Sequence, residues 1–110
     1  MDEKNKTEMM EIALQVILFA GNARDLVSKA LSAAYDENFT EAKNLLSEAE
    51  DEARKAHRIQ TEIVQSEANG AEIEFSFLVT HAQDTLMVSL SEINIAKQLL
   101  KMYQKIYESK

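Results

Sequence analysis

One stretch decides the fold of this 110-residue chain: Phe77-Leu78-Val79-Thr80-His81-Ala82-Gln83-Asp84-Thr85-Leu86-Met87. Its apolar residues recur at the three- and four-residue spacing of a helix. Continued to the C-terminus, that spacing produces two apolar stripes roughly 150° apart around one long helix. The first stripe contains Phe75, Val79, Ala82, Leu86, Leu90, Ile93, Ala96 and Leu100, and the second contains Phe77, Val88, Ile95, Leu99, Met102 and Ile106.

Two polar residues, His81 and Asp84, lie within the second stripe, about 60° from each other. A helix in a small bundle needs only one buried face, so the second stripe must meet something else, most simply another copy of the chain. The spacing therefore predicts that both residues lie at a subunit contact. The structural alternative is a hydrogen-bonded interior histidine at His81 and a solvated stripe edge at Asp84. If Asp84 is buried, its carboxylate needs a partner, a metal or a proton.

The composition predicts an all-α fold. Proline is absent and only two glycines occur, whereas strand-rich folds need more turn residues. We predict one domain over residues 1–110, an antiparallel three-helix bundle with helices at about 7–34, 39–68 and 76–107. The absence of cysteine excludes disulfides, thiolate zinc sites and cysteine nucleophiles.

Charge and hydropathy narrow the classes of partner. The net charge of −7 and the low aromatic content argue against nucleic-acid binding. The apolar run at residues 12–20 is too short to span a bilayer and follows acidic residues, so we expect a cytoplasmic protein without direct membrane insertion. The C-terminal lysines are typical of a solvated helix end, and a docking site for a partner is the alternative. These lysines are Lys97, Lys101, Lys105 and Lys110.

The first predicted helix starts with Thr7 as N-cap. Gly21 inside this helix indicates a close approach by another backbone. Arg24 could bind a phosphate or a carboxylate as a fork, although pairing with a nearby acid is the simpler interpretation. The predicted core face comprises Met10, Ala13, Leu14, Ile17, Gly21, Val27 and Leu31.

The second predicted helix begins after Asn38, which with Glu41 has the spacing of a capping box. Its alanine-rich seam indicates close helix packing, and His57 at its edge is interpreted as structural. Gly70, after Asn69, is expected to end this helix. A loop or frayed turn is then predicted for residues 71–75. The seam comprises Ala42, Leu46, Ala49, Ala53, Ala56, Gln60 and Ile63.

The block His81-Ala82-Gln83-Asp84, followed by Leu86-Met87, resembles the enzyme IIA component of the lactose/cellobiose family of the bacterial sugar phosphotransferase system. That family includes chitobiose carriers. The resemblance extends over nearly all of the chain, through Gly21-Asn22-Ala23-Arg24, Ala56-His57 with Gln60-Thr61, and Asn69-Gly70.

The resemblance implies a homotrimer of three-helix subunits that carries phosphoryl groups for uptake of a β-linked disaccharide such as cellobiose, lactose or chitobiose. By position, His81 is the histidine that accepts the phosphoryl group from phospho-HPr and passes it to a cysteine of the IIB component. Asp84 matches a family aspartate at the trimer axis that can hold a divalent cation. Mg²⁺ is the expected ion, in a structural role, and the chemistry itself requires no cofactor.

Three positions depart from the family pattern. Thr85 stands where a second histidine is common, Thr80 replaces an aliphatic residue, and Asp25 replaces a serine. His81 and Asp84 remain, so phosphoryl transfer is still the expected chemistry.

Neutral imidazole is a nucleophile near physiological pH, and transfer demands positioning and charge neutralisation. Donors to the phosphoryl oxygens could come from Gln83, Thr80, Thr85 or helix-terminal backbone groups. The choice of Nε2 as the attacking atom of His81 rests on the resemblance.

Two other classes of function compete with the carrier. A non-enzymatic helical adaptor or scaffold could use the same bundle and dock through the acidic face formed by residues of the second helix. A histidine phosphotransfer domain of two-component signalling also uses a helical histidine. It is built on four helices, however, and this chain has room for three long ones.

Overall fold

Three α-helices make up the part of the chain that the computed structural model describes, residues 3–68 and 77–110, with side chains at 7–65 and 77–110. Helix α1 spans Glu3–Tyr35, α2 spans Phe39–Ala68 and α3 spans Phe77–Glu108. No strand occurs in these residues, which confirms the all-α, three-helix prediction. Helix α1 starts four residues before the predicted position 7, because Glu and Lys are good helix formers. The expected end at Asn69-Gly70 and the loop at 71–75 lie outside the described residues.

The turn between α1 and α2 is short and tightly bonded. The amide of Asn38 donates to the carbonyl of Ala33 at 2.9 Å, and the amide of Glu37 donates to Ala34 at 2.9 Å. This is the pattern of a Schellman C-cap, and Glu37 adopts the left-handed φ of 68° that usually selects glycine. Asn38 takes the predicted N-cap place, since its carbonyl accepts from Ala42. Within the described residues, the side-chain bonds that would complete the capping box are absent.

Small side chains, not large ones, form the buried stripe of α1. The fully buried positions recur every three or four residues: Ala13, Val16, Ala20, Ala23, Val27, Ala30 and Ala34. The predicted core face of α1 was therefore partly wrong, since Met10 and Leu14 are more than half exposed. Hydropathy favours bulky residues for a core, whereas three closely packed helices favour small ones.

The predicted seam of α2 is confirmed, because all of its alanines and both of its aliphatic residues are buried. Its alanines pack into two buried clusters, one with Ile93, Ala96 and Leu100 of α3 and one with Ala82 and Leu86. Leu90 packs against both clusters and so joins them into one core.

The bundle is elongated, 62 Å long and about 20 Å across. A core of this shape is narrow, and each helix keeps a long side turned outward. Across the described ranges, none of the three helices combines the length and apolarity needed to cross a bilayer.

Candidate functional site

His81 lies in the second turn of α3 with its imidazole exposed to solvent. The ring of Phe77, four residues earlier, lies nearly parallel to it, with centroids 6.2 Å apart and planes 11° apart. Phe77 is 87% exposed, so it adds little to the core. His81 is not the hydrogen-bonded interior histidine of the structural alternative, and its predicted position at a subunit contact stays a prediction.

Thr85 contacts the backbone of His81 and not its ring. Its hydroxyl donates to the carbonyl of His81 at 2.8 Å, one helical turn back. Such a bond is common for threonine inside a helix and directs the side chain along the helix surface. Thr85 therefore lies on the same side of α3 as His81. Thr80 is half-buried, and Gln83 is exposed but projects to a different side, since residues two apart do not face each other.

Asp84 is exposed, one residue before Thr85 and on the same stripe as His81. It makes no ion pair with any other residue in the described part of the chain. Nor do the described ranges contain any group of three or more His, Cys, Asp or Glu side chains that could hold a metal ion. A cation bound by Asp84 would need further ligands beyond the described side chains of one protomer.

On the C-terminal side of His81 and Asp84, the second apolar stripe of α3 is exposed. These side chains are 41–61% exposed: Val88, Ile95, Leu99, Met102 and Ile106. On α1, Met10, Leu14 and Leu18 are also more than half exposed. We call the α3 set the apolar face, and it confirms that, among the described residues, one chain covers the first of the two predicted stripes and leaves the second largely exposed.

Helices α1 and α3 also frame two adjoining open cavities. The larger, about 560 Å³, is lined by Leu18, Gly21 and Glu92 among others. The smaller, about 270 Å³, has Ile95 and Leu99 in its wall. The smaller cavity opens on the apolar face, which is therefore concave as well as hydrophobic there. The larger cavity adjoins it through Arg24, Ser28 and Glu92 and extends along α1.

Arg24 of α1 forms an ion pair with Glu92 of α3. Its Nη2 lies 3.0 Å from Oε1 of Glu92, and its Nε lies 3.2 Å from both carboxylate oxygens. The hydrogen bond to Glu92 raises the pKa of the Arg24 guanidinium, and the nearby charges of Glu92 and Asp25 act in the same direction. Of the two interpretations left open by the sequence, pairing with an acid is the one observed.

His57 is exposed on α2 and lines a separate cavity with Glu50, Arg54 and Lys97. Neither His81 nor Asp84 lines that cavity. The two histidines of the chain therefore belong to different surfaces.

Sequence reasoning missed two features of the site. The stacking of Phe77 on His81 was readable, because residues four apart on a helix are neighbours. The partner of Arg24 was not, because Glu92 is 68 residues away and only the packing of α1 on α3 brings them together.

Comparison with known proteins extends this geometry to a family. Residues 11–104 match the family described as the lactose/cellobiose-specific IIA subunit of the PTS system. The lichenan-specific phosphotransferase enzyme IIA component of Bacillus subtilis is 39% identical over 103 residues, which cover 94% of each chain.

Solved structures agree with this match. The cellobiose-specific enzyme IIA of Bacillus anthracis superposes with a TM-score of 0.88 at 36% identity, covering 91% of this chain and 92% of that one. The IIA component in the IIA(chitobiose)–HPr complex of Escherichia coli gives a TM-score of 0.80 at 26% identity, covering 90% and 96%. The chain therefore belongs to the lactose/cellobiose-specific IIA family and is a phosphotransferase component of the sugar phosphotransferase system.

Proposed function

We propose that the chain is a cytoplasmic phosphocarrier that accepts a phosphoryl group on His81 from phospho-HPr and passes it to a sugar-specific IIB component. The cargo of the pathway is a β-linked disaccharide such as cellobiose, lactose or chitobiose. The observation that carries the proposal is the exposed imidazole of His81 beside a concave apolar face, in a chain of the IIA family. An exposed nucleophile can meet two protein partners in turn, which a buried one cannot.

The chemistry is a pair of in-line displacements at phosphorus. A ring nitrogen of His81, assigned as Nε2 from the family resemblance, attacks while the P–N bond to the donor breaks. The released donor nitrogen keeps the bonding electron pair. In the second step a IIB cysteine thiolate attacks, and the His81 nitrogen leaves with its own electron pair. Neither step changes an oxidation state.

HPr as the donor is supported by a relative, since the chitobiose IIA of Escherichia coli has been solved in complex with HPr. That protein shares this fold over 90% of the present chain. The IIB acceptor is proposed from the family alone.

Charge on the phosphoryl oxygens needs hydrogen-bond donors close to His81. We assign this role first to Thr85, which already lies on the side of His81, after rotation of its hydroxyl away from the backbone. Thr80 and Gln83 remain candidates through contacts completed by a partner or a second protomer.

The test is phosphorylation in a reconstituted system. The protein is incubated with phosphoenolpyruvate, enzyme I and HPr, and the acid-labile adduct is located by mass spectrometry. We expect one phosphoryl group per chain on the wild type, none on His81→Ala, and wild-type labelling on His57→Ala, the matched control.

Absence of an adduct on the folded wild type, or an undiminished adduct on His81→Ala, would reject the carrier. The non-enzymatic adaptor or scaffold would then be the better interpretation. Circular dichroism should show that His81→Ala keeps its helical content, so that a missing adduct does not result from unfolding.

We further propose that the subunits are antiparallel bundles that assemble as a homotrimer through the apolar face. The antiparallel order is supported by Phe39, at the start of α2, whose ring contacts Tyr103 and Tyr107 near the end of α3 at 5.8 and 5.3 Å. Exposed aliphatic residues along α3 supply the driving force for association. The number three comes from the family resemblance and not from the exposed surface.

Gly21 supports a contact outside the chain. A Cβ added at this position would meet nothing within 4 Å, so packing inside the protomer does not require glycine there. Helical glycine is nevertheless costly, by about 1 kcal/mol relative to alanine. Its position in the wall of the 560 Å³ cavity fits a close approach by a neighbouring protomer.

Asp84 is proposed to hold a divalent cation, Mg²⁺ in the first instance, where three copies meet. One exposed carboxylate per protomer fits this role, since three together supply the oxygen ligands that Mg²⁺ prefers and would otherwise repel. The ion would be structural and would take no part in phosphoryl transfer.

Chelator or acid should weaken the association of the trimer, and light scattering would measure the resulting fall in mass. A mass that stays trimeric in chelator and in Asp84→Ala would exclude this role.

A further inference from the structure

A second groove runs along the seam of α2 and α3, away from the apolar face. Two cavities of about 330 Å³ each lie end to end on this seam and share Glu50 and Lys97 in their walls. None of the five residues of the apolar face lines either cavity. We call this continuous feature the α2–α3 groove, and the phosphocarrier proposal makes no use of it.

The charge of the groove is opposite to that of the protein. Its walls contain five basic side chains and one carboxylate, that of Glu50: Lys43, Arg54, His57, Lys97 and Lys101. The whole chain has 19 acidic residues against 12 lysines and arginines. Four of the twelve cations thus line one groove that holds a single acid, and the groove is complementary to an acidic ligand.

The cations of the groove are available to a new partner. Lys97 Nζ pairs with Glu50 at 2.7 Å, and Arg54 pairs with Asp51 at 2.8 Å. Both basic side chains are about half exposed or more, so these pairs are weak and easily exchanged. Lys43 and Lys101 make no ion pair with any residue in the described ranges. Asp51, just outside the groove, is the further carboxylate that an acidic ligand must displace.

The floor of the groove is apolar. It is formed by Leu46 and Ala53 of α2 and by Leu90, Ile93 and Leu100 of α3. A ligand that fits must therefore present an apolar strip between acidic groups, which a free phosphate or a simple sugar phosphate does not.

The length of the groove selects the kind of ligand. Lys43 and His57 are 14 residues apart on one helix, which corresponds to about 21 Å. Four turns of a helix span that distance, and an amphipathic helix lying in an apolar groove is a common mode of recognition. A membrane surface is flat and would reach the rims of the groove but not its floor.

We propose that the α2–α3 groove docks an acidic amphipathic helix of a partner protein. The site leaves the surface around His81 open, so docking and phosphoryl transfer can occur on one protomer at the same time. This inference does not depend on the phosphocarrier proposal.

The test is an NMR titration of the full chain with a synthetic 16-residue helix that has leucines along one side and glutamates flanking them. We expect amide shifts concentrated at the groove, around residues 43–57 and 90–101. Lys101→Glu should weaken binding at least tenfold, and Lys101→Arg should restore it. Lys29→Glu is the matched control, because it makes the same charge change on α1 outside the groove and should leave affinity within twofold.

Results of three kinds would overturn the proposal. The first is equal binding of a peptide with lysine in place of each glutamate, or equal weakening by Lys29→Glu. The second is saturable binding to phosphatidylglycerol vesicles that Lys101→Glu abolishes while the peptide produces no shifts, which would assign the groove to lipid. The third is a concentration-dependent mass that Lys101→Glu reduces, which would assign it to a second copy of this chain.

Discussion

The two sides of α3 differ in what they contact. On one side Ala82, Leu86, Ile93, Ala96 and Leu100 are at most 6% exposed and pack against α1 and α2. On the other, equally apolar side chains are 41–61% exposed in the protomer. The first side specifies the fold of one chain. The second, which carries His81 and Asp84, is the side that we propose contacts other molecules, so hydrophobicity alone does not separate the core from a proposed interface.

The largest expected effect comes from placing a charge on the exposed side. Leu99→Asp introduces one carboxylate per protomer into the proposed trimer contact, where unpaired buried charges are strongly unfavourable. We expect the mass measured by light scattering to fall from three chains to one chain of 12.4 kDa, with helicity unchanged. A variant that remains trimeric would show that the apolar face is not the contact.

Shortening a side chain on the buried side should destabilise the chain itself. Leu86 is 2% exposed, so Leu86→Ala should lower the free energy of unfolding by about 2–5 kcal/mol, measured by urea denaturation. Val88→Ala, two residues away and 41% exposed, is the matched control. If both variants lost the same stability in the dissociated state, the contrast between the two sides would disappear.

Gly21→Ala should have opposite effects on the stability of the dissociated chain and on its association. In the dissociated chain the added methyl group meets nothing, so helix propensity should stabilise the fold by up to about 1 kcal/mol. In the assembled state the same methyl group should weaken association. Chemical denaturation below and above the association concentration measures both effects, and a gain of stability at both concentrations would remove Gly21 from the contact.

The smallest loss of stability is expected for the Arg24–Glu92 ion pair, which lies at the edge between the two sides of α3. Arg24 and Glu92 are each more than one-third exposed at the side chain, so Glu92→Gln should cost less than about 1 kcal/mol in thermal unfolding. A loss above about 2 kcal/mol would mean that this ion pair is buried in the assembled protein.

The sequence predicted these regions with unequal success, for physical reasons. The seam of α2 was predicted residue by residue because its apolar positions keep a regular spacing against a strongly polar background. The core of α1 was partly mispredicted because Met10 and Leu14 are more hydrophobic than the alanines that close packing requires. The positive φ of Glu37 had no glycine to signal it.

At the site, the exposed surface bearing His81 and Asp84 was predictable because spacing alone places both on the second stripe. Partnerships between distant segments, such as Arg24 with Glu92, depend on how the helices pack and have no local signal. The roles of His81 and Asp84 in transfer and metal binding stay predictions.

The tight turn at residues 36–38 has a consequence for the order of folding. Helices α1 and α2 are joined by only three residues, so bringing them together closes a very small loop at little entropic cost. We therefore expect helix α3 to dock after α1 and α2 have paired, because its contacts with them span a greater sequence separation. His81, the proposed nucleophile, lies on the helix that is expected to dock last, so we expect a chain interrupted before that step to lack phosphoryl-transfer activity.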